Sequence, residues 1–314
     1  MEKQSTDTLM MIRPINFRLN EQTAVNNYYQ RVIDGIKPEE VQYKAVQEFD
    51  RFVEKLRAKK IRVIVIDDTE DTDTPDSIFP NNWISFHGDG RVGLYPMFAE
   101  NRRVERRKDI LRKLQQNYGL KISEIEDFTP YEAEDKFLEG TGSMILDRPN
   151  KIVYAAISVR TNEKVLEDFC RKFNYRAVKF VANQTVEGKR LPIYHTNVMM
   201  CVADNFAILC AESIDDEKER KAVIESLEVT GKEVIEISEH QKHHFAGNML
   251  QVKSIDGKPY LVMSGAALQS LKDFQIKSIE KYCEIISSSL DTIEALGGGS
   301  ARCMMAEVFL PKSI

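Results

Sequence analysis

The sequence lacks any long apolar run. No segment approaches the ~18 consecutive apolar residues needed to span a bilayer, and the N-terminal stretch MEKQSTDTLMMIRPI has no apolar core of a secretion signal. These absences argue against a membrane protein and against a targeting segment. We therefore predict a cytoplasmic protein with no membrane partner.

Metal-binding and redox patterns are also missing. The five cysteines are odd in number and form no CxxC pair, which favours a reducing compartment; they are Cys170, Cys201, Cys210, Cys283 and Cys303. The cluster EHQKHH lacks the order HExxH and is interpreted as a polar helix face rather than a metal site. No GK[ST] follows the glycine run 297–299, which argues against a phosphate-binding loop. We predict neither a metal ion nor an organic cofactor.

The charge balance is mildly acidic. The formal net charge is −5, with 30% charged and 42% hydrophobic residues. That composition supplies a core and argues against a nucleic-acid partner. The one basic run, at residues 102–108, is flanked by acidic residues and is interpreted mainly as a solvated helix face.

A pattern of strand, turn, strand, helix and strand recurs four times along the chain. The predicted segments are 83–86, 92–96, 102–118 and 120–125; 143–146, 152–157, 162–173 and 177–181; 198–202, 207–211, 215–227 and 233–237; and 249–252, 260–263, a helix from 266, and 284–286. Repetition of this kind predicts one domain built from like units, with a generic α/β sandwich as the alternative.

A fifth unit would be divided between the two ends of the sequence. Residues 304–310 and 9–13 supply its first strands, residues 39–59 its helix, and residues 61–66 its last strand. Joining the ends in this way removes exposed sheet edges. We predict a single catalytic domain over residues 1–314, of class α/β, with five ββαβ-like units.

Polar residues stand before the first strand of each unit. In a ring of like units these positions converge, so residues distant in sequence would share one pocket; they are Asn81-Asn82, Glu139-Gly140-Thr141-Gly142, His195-Thr196-Asn197, Gly247-Asn248 and Arg302-Cys303. A cysteine, a histidine and a carboxylate would form a nucleophile, an acid–base and an orienting group. Taken singly, each also has a structural reading: a buried thiol, a structural histidine, or a carboxylate that is solvated or paired.

These residues resemble the guanidino-group-modifying (pentein) superfamily. It includes arginine deiminase, dimethylarginine dimethylaminohydrolase and glycine amidinotransferase, and the chain most resembles the branch described as citrulline-utilisation hydrolases. The resemblance implies a five-bladed α/β propeller. The matching segments are GGGSARCM around Cys303, the histidine at His195, Glu139 of an EGG-type motif, ISVRTN around Arg160, and DSIF beginning at Asp76.

The resemblance also implies residue roles. Cys303 would be the nucleophile, His195 the catalytic histidine and Glu139 the acidic residue. Arg160 would hold the substrate carboxylate and Asp76 the amine. Arg103 is a weaker match to a second carboxylate-binding arginine.

The departures from the family pattern bear on the substrate. Asn82 and Asn197 stand where relatives that act on guanidinium cations carry aspartates, and Gly142-Ser143 replaces Gly-Asp. An amide offers donors and acceptors without charge, which suits a neutral ureido group. A carboxylate facing a neutral urea would be partly uncompensated. Whether Thr141 or Ser143 compensates for the missing aspartate stays open.

The expected activity is hydrolysis of C–N bonds in a ureido or guanidino amino acid. Citrulline is the preferred substrate, giving ornithine, carbon dioxide and ammonia through an S-carbamoyl intermediate on Cys303. The alternatives are a deiminase or dimethylaminohydrolase of arginine or a modified arginine, an amidinotransferase, and a non-catalytic binding propeller. The expected partner is a small amino acid, and the oligomeric state stays open, a homodimer included.

Overall fold

The computed structural model describes residues 2–33 and 35–313. In that part of the chain the strands form five three-stranded sheets and one two-stranded hairpin. The strands are β1 (Thr8–Arg13), β2 (Arg62–Asp67), β3 (Ile84–Phe86), β4 (Arg91–Leu94), β5 (Glu124–Asp127), β6 (Ile145–Asp147), β7 (Ile152–Ala156), β8 (Arg176–Phe180), β9 (Asn183–Val186), β10 (Lys189–Pro192), β11 (Met200–Val202), β12 (Phe206–Leu209), β13 (Glu233–Glu236), β14 (Leu250–Lys253), β15 (Pro259–Ser264), β16 (Glu284–Ser288) and β17 (Ala306–Glu307).

Helices connect the strands. The α-helices are α1 (Glu21–Ala24), α2 (Pro38–Ala58), α3 (Glu100–Arg103), α4 (Lys108–Tyr118), α5 (Gly140–Ser143), α6 (Glu163–Phe173), α7 (Glu217–Val229), α8 (Glu239–His243), α9 (Gly265–Ser270), α10 (Asp273–Glu280) and α11 (Asp291–Gly297). Within the described ranges, no helix combines the length and apolar character needed to cross a membrane.

Each three-stranded sheet has the same connectivity. The first two strands are antiparallel and the third pairs in parallel with the second, in the orders β3-β4-β5, β6-β7-β8, β11-β12-β13 and β14-β15-β16. A parallel pair needs a crossover connection, and α4, α6, α7 and the pair α9–α10 supply it. The four predicted ββαβ-like units within the sequence are therefore confirmed.

The fifth sheet joins the two ends of the sequence. Strand β1 pairs antiparallel with β17, with Leu9 opposite Glu307, and parallel with β2, with Leu9 opposite Val63. Helix α2 makes the crossover and buries an apolar face that includes Phe49 and Phe52. The predicted split unit is confirmed.

The local structure differs from the sequence pattern at two places. The helix predicted over 102–118 is divided into α3 and α4, and Arg102 of α3 turns inward and pairs with the buried carboxylate of Glu105. Residues 183–192, to which no element was assigned, form the hairpin β9–β10 around a turn in which Glu187 and Gly188 both have positive φ. A local pattern of apolar residues carries no signal for an inward-facing arginine.

Short helical turns precede the first strand in four of the five units. They are Pro80–Asn82, Gly140–Ser143, Thr196–Val198 and Ala301–Met304. In the remaining unit, residues 245–249 lead into β14 as an irregular loop. All four turns are buried, and they carry most of the polar residues singled out in the sequence.

Candidate active site

The polar turns meet at a small cavity of about 20 Å³. Its lining residues are Thr23, Asn27, Asp76, Phe79, Asn82, Arg102, Arg160, Tyr194, His195, Gly297, Gly298, Gly299 and Cys303. Its residues come from the N-terminal segment, four of the five units and the glycine run. Predicted site residues far apart in sequence therefore do converge.

Cys303 lies in the turn that leads into β17. Its backbone N–H donates to the carbonyl of Ser300 at 3.0 Å. The sulfur accepts hydrogen bonds from the side-chain amides of Asn197 and Asn248, both at 3.3 Å. The adjacent Arg302 points away and pairs with Glu307 at 2.8 Å, so the cation next in sequence does not face the thiol.

The glycine run is required by close packing. Gly298 has φ +61°, the left-handed region that ends α11. A Cβ at Gly297 or Gly299 would lie within 2.7–2.9 Å of the ring of Phe79. The absence of side chains lets this loop form one wall of the cavity.

His195 and Glu139 form a buried pair. Nε2 of His195 lies 2.7 Å from Oε2 of Glu139, whose other oxygen accepts from the backbone N–H of Phe98 at 2.9 Å. Burial would raise the pKa of Glu139, but Arg160, 3.6 Å away, and the His195 hydrogen bond lower it to about 2. Burial lowers the pKa of His195 more than Glu139 raises it. At neutral pH we assign a neutral imidazole that donates from Nε2 to an ionised Glu139.

Asn82 is oriented by Arg102. The guanidinium donates from Nη1 to Oδ1 of Asn82 at 2.8 Å and is held by Glu105 at 2.8 and 2.9 Å. The Asn82 amide therefore presents Nδ2, which is buried without a hydrogen-bond partner. Gly142 packs beside it: a Cβ there would be 2.3 Å from that nitrogen and 2.9 Å from Nδ1 of His195.

Asn197 presents the complementary atom. Its Nδ2 donates to the sulfur of Cys303, and its Oδ1 is buried without a partner. The two asparagines thus provide one unpartnered donor, Nδ2 of Asn82, and one unpartnered acceptor, Oδ1 of Asn197. A buried polar atom left without a partner costs about 1–3 kcal/mol. Asn82 lines the cavity, whereas Asn197 contacts the Cys303 sulfur without lining the cavity itself.

Arg160 and Asp76 carry opposite charges at the cavity. Arg160 precedes α6, whose first turn is capped by Asn162; its Nη2 donates to the Thr23 carbonyl at 3.0 Å and also contacts Asn26. Nε of Arg160 and Oδ1 of Asp76 have no partner. Burial raises the pKa of Asp76 despite Arg102, whose Nε lies 3.9 Å away.

Arg103 does not reach the cavity. Its side chain is partly exposed and contacts the Met97 carbonyl at 3.1 Å and Glu132 at 3.6 Å. The neighbouring Arg102 lines the cavity instead. The sequence pattern does not predict Arg102 as a site residue, and it places Asn248 before the fourth unit without indicating a role for it.

Thr141 and Ser143 bond to the backbone. Thr141 donates to the Asn81 carbonyl at 3.3 Å, and Ser143 donates to the Arg160 carbonyl at 2.7 Å. Neither lines the cavity. In the described ranges, no group of three or more His, Cys, Asp or Glu side chains could hold a metal ion. The histidines of EHQKHH lie on or just after α8, whose Lys242 is buried, so that helix is not uniformly polar and solvated.

A family model for eukaryotic N,N-dimethylarginine dimethylhydrolase matches residues 13–310. The chain belongs to this family. It is accordingly a member of the guanidino-modifying pentein superfamily and a hydrolase acting on C–N bonds, as the sequence motifs predicted. A search of curated protein sequences gave no match.

Solved structures of other enzymes share the fold. The apo structure of ArgZ, an arginine dihydrolase from the ornithine-ammonia cycle in cyanobacteria, superposes with a TM-score of 0.73 at 15% identity; the match covers 97% of this chain and 41% of that one. The present chain thus spans less than half the length of ArgZ.

Two further structures match over almost their full length. The N-terminal domain of ArgZ covalently bound to a reaction intermediate has a TM-score of 0.70 at 15% identity, covering 97% of this chain and 99% of that one. A dimethylarginine dimethylaminohydrolase adduct with S-methyl-L-thiocitrulline has a TM-score of 0.61 at 13% identity, covering 98% and 100%. These matches show a mixed α/β fold shared with pentein enzymes.

Proposed function

We propose that this chain is a cysteine hydrolase of ureido amino acids, with citrulline as its substrate. The observation that carries the proposal is the pair of unpartnered amide atoms, Nδ2 of Asn82 and Oδ1 of Asn197. A ureido group has one carbonyl acceptor and N–H donors. One amide would bind the oxygen and the other an N–H, with no charge on either side.

Charge compensation supports a neutral head group. The two carboxylates nearest the site already face arginines: Glu139 lies 3.6 Å from Arg160, and Asp76 lies 3.9 Å from Arg102. A guanidinium bound at Asn82 and Asn197 would have no carboxylate of its own. Burying an unpaired cation costs several kcal/mol, so the site favours the uncharged analogue.

The other end of the substrate would use the remaining free atoms. Nε of Arg160 would donate to the α-carboxylate, and Oδ1 of Asp76 would accept from the α-ammonium. Recognition at both ends selects a free amino acid with a long side chain. Arg102 orients Asn82 rather than binding the carboxylate.

The reaction we propose has two covalent steps. The sulfur of Cys303 attacks the ureido carbon, and the thiol proton passes through His195 to the departing nitrogen. His195 then removes a proton from water, which attacks the S-carbamoyl group; that proton restores the thiol. Glu139 holds His195 and stabilises its cationic form. Ornithine leaves in the first step, and the second releases carbamate, which decomposes to carbon dioxide and ammonia. The scheme uses no metal ion or organic cofactor. The covalent intermediate on the ArgZ domain supports such a route.

The proposal extends to the architecture and the setting of the protein. The five sheets with like connectivity support a five-bladed α/β propeller, and residues 1–314 would be one catalytic domain. The unpaired state of the five cysteines supports a cytoplasmic location. A homodimer is compatible with this scheme, which needs no residue from a partner.

A second candidate is hydrolysis of a guanidino substrate. The family name and the arginine dihydrolase ArgZ favour it. Purified protein should be incubated in parallel with citrulline, arginine, N,N-dimethylarginine and agmatine, and ornithine, citrulline and ammonia measured. Ornithine formed fastest from citrulline, and lost in Cys303→Ala, supports the proposal. Citrulline accumulating from arginine or dimethylarginine, with citrulline itself inert, would overturn it.

A further inference from the structure

The side chain of Asn248 contacts the sulfur of Cys303 from a different unit of the fold. Asn248 lies in the loop before β14, is buried, and donates from Nδ2 to the sulfur at 3.3 Å. It is the second of the two amide donors on that atom, the first being Asn197.

The orientation of the Asn248 amide is fixed by its other bonds. Its Oδ1 accepts from the backbone N–H of Arg302 at 3.0 Å, and its Nδ2 also donates to the carbonyl of Asn197 at 3.0 Å. The two N–H groups of Nδ2 thus donate to different acceptors, one to the Asn197 carbonyl and the other to the Cys303 sulfur. A flipped amide would place its oxygen against two acceptors, so only this orientation is satisfied.

Backbone packing at Gly247 brings this amide into place. A Cβ at Gly247 would lie 2.3 Å from the carbonyl of Val198 and 2.8 Å from Cα of Met199. Because residue 247 has no side chain, the loop before β14 can lie directly on the turn that carries Asn197. The same close approach allows the hydrogen bond from Asn248 to the Asn197 carbonyl.

Both side-chain amides that donate to the sulfur are uncharged. The adjacent cation, Arg302, faces Glu307 and the Met305 carbonyl instead. Hydrogen bonds to the charged form of a group favour that form. Two amide N–H donors are thus placed to stabilise negative charge on the sulfur without an adjacent lysine or arginine.

We propose that Asn248 is a further catalytic residue: it stabilises the thiolate of Cys303 and holds Asn197 against the ureido group. This inference rests on the proposed function only in taking Cys303 as the nucleophile. The effect on the thiolate can be measured without any substrate, so the two can fail separately.

The test is the pH dependence of iodoacetamide labelling at Cys303, followed by peptide mass spectrometry. Burial raises the pKa of the other four thiols to about 11 for Cys170, Cys210 and Cys283 and about 12 for Cys201, so they react little near neutral pH. Asn248→Asp keeps the shape and the acceptor for the Arg302 N–H but removes both donors and adds a negative charge. We expect its labelling at pH 7.5 to be at least about tenfold slower, with the profile displaced upward by about one pH unit or more.

Two further variants make the result decisive. Asn205→Asp makes the same chemical change at an exposed turn residue before β12 and should label like the wild type. Asn248→Ala removes the donors without adding charge and should give a smaller shift in the same direction, and thermal unfolding checks that each variant is folded.

The labelling profiles and the turnover assays distinguish failure of the inference about Asn248 from failure of the proposed function. A folded Asn248→Asp or Asn248→Ala variant whose labelling profile superposes on the wild type overturns the inference. A wild type that turns over no ureido or guanidino substrate, while the profile still shifts in the variants, overturns the proposed function and leaves the role of Asn248 standing.

Discussion

Nε2 of His195 lies 2.7 Å from a carboxylate oxygen of Glu139, and both side chains are buried. Burial lowers the pKa of His195, and the carboxylate of Glu139 offsets part of that effect. In the proposed reaction this charge would stabilise the protonated form of His195.

Glu139→Gln should therefore lower kcat by about 10²–10⁴-fold, by analogy with neutralising the acid of a catalytic triad. Loss of the negative charge lowers the pKa of His195 further, so the acidic limb of the pH–rate profile should move to lower pH. Steady-state rates from pH 5 to 9 measure this. The control is Glu134→Gln, an exposed residue paired with Lys136. An unshifted profile with normal kcat would contradict the assignment.

Aspartate substitutions at the two asparagines should have unequal effects. In Asn82→Asp the new carboxylate would still accept from Arg102 and would offer a charge to a guanidinium, so kcat/KM should shift from citrulline toward arginine. In Asn197→Asp the donor to Cys303 is lost and a negative charge is placed beside the sulfur. That variant should lose activity on both substrates. Parallel assays with citrulline and arginine check the difference, and equal effects of the two changes would argue against the assigned roles.

Gly142→Ala should reduce kcat by about 10²-fold, because a methyl group there displaces the Asn82 amide and the His195 ring, and small misplacements have effects of this size. The new Cβ would lie 2.3 Å from Asn82 and 2.9 Å from His195. Gly88→Ala is the matched control, since nothing lies within 4 Å of its Cβ position. Equal activity of the two variants would refute this packing argument.

The two arginines suggested by the family resemblance should differ in their effect on KM. Arg160→Lys keeps the charge but loses the free Nε donor, so KM for citrulline should rise at least about tenfold with a smaller change in kcat. Arg103→Ala should leave both parameters near wild type, because that side chain bonds outside the cavity. If KM for citrulline rose only in Arg103→Ala, the substrate carboxylate would bind at Arg103 rather than at Arg160.

Glu294 should make stability depend on pH. Its Oε1 accepts from Ser300 at 2.6 Å, and burial raises its pKa to about 7. A raised carboxyl pKa contributes stability that is present below the unfolded-state value near 4.5 and lost as pH rises through about 7. The free energy of unfolding of wild type relative to Glu294→Gln should fall by at most about 3 kcal/mol from pH 5 to 8.

Urea unfolding at several pH values between 5 and 8 measures that difference. The exposed Glu280, changed to glutamine, serves as the control. Curves for wild type and Glu294→Gln that stay parallel with pH would show that the buried carboxyl does not titrate in this range.

The repeated architecture could be predicted from the sequence because each unit carries its own local signals. Alternating apolar strands, a turn such as Asp256-Gly257, and an amphipathic helix such as α6 are determined within a few dozen residues. The divided fifth unit could be predicted because the segments left over at the two ends of the sequence together contain the strands and helix of one further unit. The convergence of Cys303 and His195 followed from their equivalent positions.

Other features depend on contacts that no local pattern encodes. Arg102 and Arg103 are adjacent and chemically identical, and only the position of Glu105 and Asn82 determines which one turns inward. The position of Asn248 depends on Gly247, which packs against Val198 and Met199, about fifty residues earlier in the chain. The partner of His195 could be named from the family motif, but the 2.7 Å contact and its electrostatics required coordinates.

The pairing of β17 with β1 has a consequence for how the protein is made. Cys303 lies three residues before β17, and β17 pairs with a strand that begins at Thr8. During synthesis β1 must wait until the residues between Thr8 and β17 have left the ribosome before this partner arrives. Any polypeptide interrupted before residue 303 lacks the thiol and leaves an edge of its first sheet open. Enzymatic activity should then appear abruptly, once the segment from Cys303 through β17 has been made, and chains that stop before it should be inactive and prone to associate through that edge.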